Sequence, residues 1–304
     1  MRRRSLLTLA LTAGSAVGAS LVSGRARAVP AVGDDASLMG PFRLELLHRQ
    51  RIDAPGLGLD EPSGLTLNAD GTALYTVSDD TRTIFCMDLK GEVLPAESFP
   101  LNANDLEGIA LSADGKRLLA VHEETNAVIS IDLARRRELR RQPLAGMDNY
   151  AGIARHFPAR PDNKGLEGIT VNTRNQRVFV EEEGAPGLLI QLDSSCRTVL
   201  SSRFLTAGNG FPHPKLEQRK LNFSRLSYYS QRDMIWIASD KGRCLFHYDW
   251  TRDRVLQRLD LLFNDRGETR RVRKAEGIAI DPQRGRIYVV SDRDAELYVF
   301  KLHG

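Results

Sequence analysis

Three glutamates recur in near-identical surroundings along this 304-residue chain: Leu106-Glu107-Gly108-Ile109-Ala110, Leu166-Glu167-Gly168-Ile169-Thr170 and Ala275-Glu276-Gly277-Ile278-Ala279. Two looser copies, Pro62-Ser63-Gly64-Leu65-Thr66 and Phe223-Ser224-Arg225-Leu226-Ser227, carry a serine where the others carry the acid. A repeated segment with a fixed acidic residue is one supersecondary unit used several times, so it delivers several carboxylates to equivalent places. Carboxylates a few ångströms apart cannot all stay ionised without a counter-charge, because each raises the pKa of the others. A calcium ion answers that need, since it takes roughly six to eight oxygen ligands and is less strict about geometry than magnesium. The alternative is that each glutamate accepts hydrogen bonds from neighbouring backbone amides and only holds repeats together.

Each copy opens a longer pattern that must position these residues. Gly108 to Ser112 leads into the turn Ala113-Asp114-Gly115-Lys116, then Arg117 to Val121, then Ala127 to Leu133. The same order recurs from Gly277 to Leu302 and, with Asn68-Ala69-Asp70-Gly71 as its turn, after Gly64. Short runs of Val, Ile, Leu, Tyr and Phe broken by Asp-Gly or Pro/Gly turns read as strands and hairpins. No sustained three-to-four apolar period marks a long helix. Equivalent positions lie 44, 60, 57 and 52 residues apart from Ser63 to Glu276. Such spacing with four strands per unit predicts the blades of a β-propeller. Five units predict five blades; a sixth would have to hide in the long loops Met147 to Lys164 and Ala207 to Lys220. The last unit stops after its third strand, so the run Phe42 to Leu47 is expected to close the ring as its outer strand.

The innermost strand of each blade lines the channel. Glu107, Glu167 and Glu276 should therefore converge at one mouth as metal ligands, with Ser63 and Ser224 beside them. A second set of acids follows each second strand: Asp79, Glu123, Glu182, Asp240 and Asp292. These read first as turn formers, although Glu181-Glu182-Glu183 is dense enough to be a further ligand source. The loop from Asp148 to Lys164 leads into Glu167, so Asn163 and Lys164 could overhang the mouth and contact an anionic ligand. His122, before Glu123-Glu124, reads as a hydrogen-bonded surface residue.

Residues 1–28 read as a secretory signal: Arg2-Arg3-Arg4, an uncharged stretch to Ser23, then Ala26-Arg27-Ala28 as cleavage site. Arg3-Arg4-Ser5-Leu6-Leu7 fits a twin-arginine signal, with the general secretory route as the alternative. Residues 29–41 then form a linker and 42–304 the propeller. Removing the signal's five arginines leaves 38 basic against 39 acidic residues. The basic character of the whole chain therefore belongs to the signal, and nucleic acid is not an expected partner. The apolar part of the signal is too mild for a membrane span. Arg135-Arg136-Arg137 and the basic run Arg270 to Lys274 read as solvated outer strands. Cys86, Cys196 and Cys244 allow at most one disulfide, Cys196 with Cys244; buried free thiols are the other reading.

The units resemble the SdiA-regulated family of bacterial β-propeller proteins. The resemblance rests on Ser63 to Thr66, Tyr75-Thr76-Val77-Ser78-Asp79, Gly165 to Ile169, and Ala275 to Asp281, and spans about Phe42 to the end. It implies a periplasmic or membrane-associated five-bladed propeller with bound calcium and no defined activity, and the signal makes the chain's own expected place periplasmic or secreted. The Glu-Gly signature is more distantly similar to phytase-like esterases, calcium-dependent lactonases and NHL-type propellers. Two functions are therefore expected to compete. One is a monomeric, calcium-binding module that recognises a small ligand or an envelope protein. The other is a calcium-dependent hydrolase of phosphate esters or lactones, in which the metal polarises the substrate and activates water. The chain lacks a Gly-x-Ser-x-Gly elbow and a His-Glu-x-x-His motif.

Overall fold

In the computed structural model the described residues are 40–304, apart from 53, 55, 60, 79–80, 158–164, 212, 214 and 218–219. The expected signal, nearly all of the linker, and Asp79, Asn163 and Lys164 lie outside the described residues.

The first strand, β1 (Arg43–Arg51), belongs to the last blade. Blade one is β2 (Ser63–Leu67), β3 (Ala73–Val77), β4 (Thr83–Asp88) and the short β5 (Phe99–Pro100). Blade two is β6 (Leu106–Leu111), β7 (Arg117–His122), β8 (Ala127–Asp132) and β9 (Arg137–Pro143). Blade three is β10 (Leu166–Val171), β11 (Val178–Glu182), β12 (Gly187–Leu192) and β13 (Val199–Leu205). Blade four is β14 (Arg225–Tyr229), β15 (Met234–Ser239), β16 (Cys244–Asp249) and β17 (Arg254–Asp260). A two-stranded hairpin, β18 (Leu262–Asp265) with β19 (Glu268–Arg271), intervenes before blade five. That last blade is β20 (Ala275–Asp281), β21 (Arg286–Ser291) and β22 (Glu296–His303), completed by β1 in the order β1-β22-β21-β20. The blades number five, and the basic run at Arg270 belongs to the extra hairpin rather than to an outer blade strand.

Radial closure follows from packing. The inner strands β2, β6, β10, β14 and β20 pack each on the next, and β20 returns to β2. Each neighbouring pair of blades encloses its own apolar cluster: Val77 with Ile109, Val121 with Ile169, Phe179 with Tyr228, Trp236 with Ile278, and Leu74 with Tyr288 typify the five. A blade's two faces are thus both buried, which suits the continuous apolar runs of its middle strands. The first hairpins turn on Asp-Gly: Gly115 takes φ +67° while Asp114 caps the Lys116 amide at 3.1 Å.

The expected closure strand is longer than Phe42 to Leu47. β1 pairs antiparallel with β22, Leu44 opposite Leu302, and is bulged between Leu46 and His48. Phe42 precedes it and anchors the ring in the neighbouring blade. Its backbone exchanges hydrogen bonds with the Gln257 amide, and its ring meets Tyr229, Trp236 and His247 edge-on.

Among the described residues no helix is long and apolar enough to cross a membrane. The three cysteines are buried and free, so Cys196 and Cys244 form no disulfide.

Candidate functional site

The repeated glutamate sits where each inner strand slips register against its partner: between Leu166 and Gly168, between Ala275 and Gly277, and between Leu106 and Ile109. A bulge re-aims a side chain, which lets the acid project from a strand whose other residues pack between blades. The glycine after it is required by the next blade. A Cβ on Gly108 would lie 2.6 Å from the Glu167 carbonyl oxygen, and one on Gly64 2.5 Å from that of Glu107.

Glu107, Glu167 and Glu276 converge as expected, but on a side chain that sequence reasoning missed. Arg225 occupies the glycine position of the fourth copy and extends across the channel mouth, 4% exposed. Its Nη2 lies 2.8 Å from Glu107 Oε2 and 2.8 Å from Glu276 Oε2, and its Nη1 lies 2.5 Å from Glu167 Oε2. It also donates to Ser63 Oγ at 2.7 Å, to the Ser224 carbonyl at 2.7 Å, and to the Glu276 carbonyl. One guanidinium thus bonds to all five blades. The clue in the sequence was the single copy in which arginine replaces the repeat's glycine.

One cation does not neutralise three buried carboxylates. Burial drives the Glu276 carboxyl up to about 7 despite the opposing pull of Arg225, and holds Glu167 well above the usual carboxylate range, with Glu107 adding repulsion. Glu181 is wholly buried beside Phe223 and Gly187, neither of its oxygens has a hydrogen-bond partner among the described residues, and burial raises its pKa strongly. Desolvation of this kind is relieved by a proton or by another cation.

The carboxylate contacts to Arg225 all use Oε2. The remaining carboxylate chemistry gathers on another trio: Glu107, Glu167 and Glu123 each offer an oxygen within 4.8 Å of the others. Glu123, raised by burial and by Glu107, was expected to be a turn former; it does open the turn to Asn126, yet it also reaches this cluster. Glu276 stands outside the trio. A cavity of about 210 Å³ opens beside these groups, lined also by Glu183, Asp240, Lys241, Lys274 and Asp292. Ser224 lines it too, with a buried hydroxyl that has no hydrogen-bond partner among the described residues, whereas Ser63, its counterpart, donates to Glu107 at 2.8 Å. Three oxygens at that separation suit ligand distances of about 2.3–2.6 Å, and an all-oxygen acidic set suits calcium. Glu182 lies at the end of β11, beside the turn at Gly184, while Glu183 accepts from Asn222 at the cavity.

His122 differs from the expected surface residue: it is 4% exposed, its Nδ1 lies 3.5 Å from Asp105, and burial lowers its pKa.

The fold is shared by a known structure of low identity. The glutaminyl cyclase of Myxococcus xanthus is 13% identical with a TM-score of 0.59, over 86% of this chain and 96% of that one. The β-propeller domain of Myceliophteria thermophila Cps50 (Swd1) is 12% identical with a TM-score of 0.48, over 85% and 99%. The likeness to the glutaminyl cyclase concerns the fold alone. The sequence itself is more specific: the SdiA-regulated family model matches residues 45–301, nearly the whole propeller, and the chain belongs to the SdiA-regulated family.

Proposed function

We propose that this protein is an exported, calcium-binding propeller of the bacterial envelope that presents the acidic mouth of its channel to a small ligand or an envelope protein. The observation that carries the reading is the meeting of Glu107, Glu123 and Glu167 oxygens within 4.8 Å, with Glu107 and Glu167 lining a cavity where the buried Ser224 hydroxyl lacks a partner among the described residues. Glu107, Glu123 and Glu167 would hold the ion, and a bound calcium would supply positive charge and Lewis acidity at the cavity. Arg225 holds Glu107 and Glu167 each through Oε2, so two of the three donors are fixed in place before an ion arrives. Lys241 and Lys274 at the rim give an incoming anionic group a partner of opposite sign.

Isothermal titration of the chelated, mature protein with calcium tests the reading, with elemental analysis of the protein as purified. One saturable site is expected, lost in Glu123→Gln and weaker for magnesium. A flat titration of folded protein would refute it. Screening phosphate esters and lactones with and without calcium decides whether the bound ion serves a hydrolase: calcium-dependent turnover would replace the binding-module reading.

A further inference from the structure

The channel has a second mouth, at the far ends of the same five inner strands, and its chemistry is the opposite of the first. A cavity of about 360 Å³ lies there, within the size range of small-molecule pockets, about 300–1,000 Å³. Every blade contributes the fifth position of its repeat and the residue after it: Thr66-Leu67, Ala110-Leu111, Thr170-Val171, Ser227-Tyr228 and Ala279-Ile280. Among the described lining residues, Asp114 alone is ionised at neutral pH, and it is engaged by the Ser112 hydroxyl at 2.6 Å and the Lys116 amide.

We propose that this second mouth binds a small neutral polyol, a monosaccharide or cyclitol. The fifth repeat position builds a ring of hydroxyl, methyl, hydroxyl, hydroxyl and methyl groups. Two of the hydroxyls have a structural task as acceptors: Thr66 Oγ1 takes the Leu111 amide at 3.2 Å, and Thr170 Oγ1 takes the Tyr228 amide at 2.8 Å. Each staples its blade to the next and keeps its own O–H proton without an acceptor among the described residues. Ser227 holds the equivalent place in blade four, and among the described residues its hydroxyl makes no hydrogen bond. Exposed Thr173 and half-buried Ser230 add further hydroxyls to the lining. Between them Ala110, Ala279 and Ile280 present apolar wall. Donors alternating with methyl surface match a ring that carries hydroxyl oxygens and C–H faces, while an ionic ligand would be desolvated there without a counter-charge. The inference is independent of the cation site at the other mouth.

The test uses the mature chain with glucose, galactose, ribose and myo-inositol as probes, read by saturation-transfer NMR and calorimetry. At least one probe is expected to bind saturably. Ser227→Ala should weaken it about three- to tenfold, the loss of one neutral hydrogen bond, at unchanged melting temperature. Thr173→Trp, at an exposed lining position, should abolish binding without disturbing the core, and Glu107→Gln should leave it unaltered. No saturable signal from any probe, or binding that survives Thr173→Trp, overturns the proposal.

Discussion

The guanidinium of Arg225 in blade four lies 2.5 Å from the carboxylate of Glu167 in blade three, across the boundary between two blades that their backbones do not bridge by sheet pairing. The same group reaches Ser63, Glu107 and Glu276. Arg225 therefore acts as a hub on the channel axis: the repeat supplies the spokes, and its one irregular copy supplies the charge that the spokes require. The ring is held outside by apolar clusters between blades and, at this mouth of the channel, by the network that converges on Arg225.

Removing the hub should be severe. Arg225→Met leaves Glu107, Glu167 and Glu276 buried beside one another without their cation, and breaking a buried ion pair from one side costs about 3–5 kcal/mol. At about 2–4 °C per kcal/mol for a large domain, a fall in melting temperature of roughly 10 °C is expected by calorimetry. Calcium should restore more stability to Arg225→Met than it adds to the parent, because a divalent ion can replace the lost charge. A variant that melts within about 2 °C of the parent would mean that the carboxyls are simply protonated and need no hub.

The network also sets a pH dependence in the metal-free protein. Glu276 has a folded pKa of about 7 against an ordinary 4.5, so the folded state binds its proton more tightly than the unfolded chain does. This contribution is fully present below about 4.5 and is lost as pH rises through about 7. Stability should thus fall from pH 5 to pH 8, by on the order of 3 kcal/mol from this group. Glu276→Gln should flatten the slope and be the more stable protein at pH 8. Denaturant midpoints across that window measure it; an unchanged slope in the variant would assign the dependence to other groups, with Glu167 and Glu181 next in line.

How far the molecule could be read from its sequence follows from where each signal lives. Blades were legible because Asp-Gly turns and short apolar runs are local, and the convergence of Glu107, Glu167 and Glu276 was legible because a repeat maps equal positions to equal places. Arg225 was not, since it stands in a degenerate copy where nothing local says that the side chain crosses the axis. The need for a counter-charge was correctly inferred, and the hub that meets part of it came from within the chain. Glu123 was read as a turn former, which it is, but its direction toward Glu107 depends on the neighbouring blade. The β18–β19 hairpin escaped notice because its strands are mostly polar; only Phe263 and the following Val272 are buried against blade five.

Calcium should raise the melting temperature of the chelated protein. A ligand that binds the folded state alone stabilises it by about 2.7 kcal/mol at a hundred times its dissociation constant, which for a large domain is several degrees. Glu167→Gln keeps the shape of the side chain and loses its charge, so most of that rise should vanish while the fold persists. A melting temperature that ignores calcium after thorough chelation would leave the Arg225 network, with its hydrogen bonds between blades, as the whole role of the repeat.

Ring closure by the N-terminal strand carries its own consequence. Phe42 is 4% exposed and meets Tyr229, Trp236 and His247 of blade four, while the strand that follows it completes blade five. The residue therefore fastens the chain's first strand across the boundary where the circle is joined. Phe42→Ala removes a buried ring from a packed aromatic cluster, a change that costs about 3–5 kcal/mol, and the joint is the place where opening one interface releases a strand from both neighbours. Leu47, 45% exposed on the same strand, is the matched control, and Leu47→Ala should shift stability by no more than about 0.5 kcal/mol. Hydrogen exchange should show the amides of β1 and β22 losing protection first in Phe42→Ala, ahead of blades two and three. Equal melting temperatures for the two variants would mean that β1 covers an edge without closing the ring.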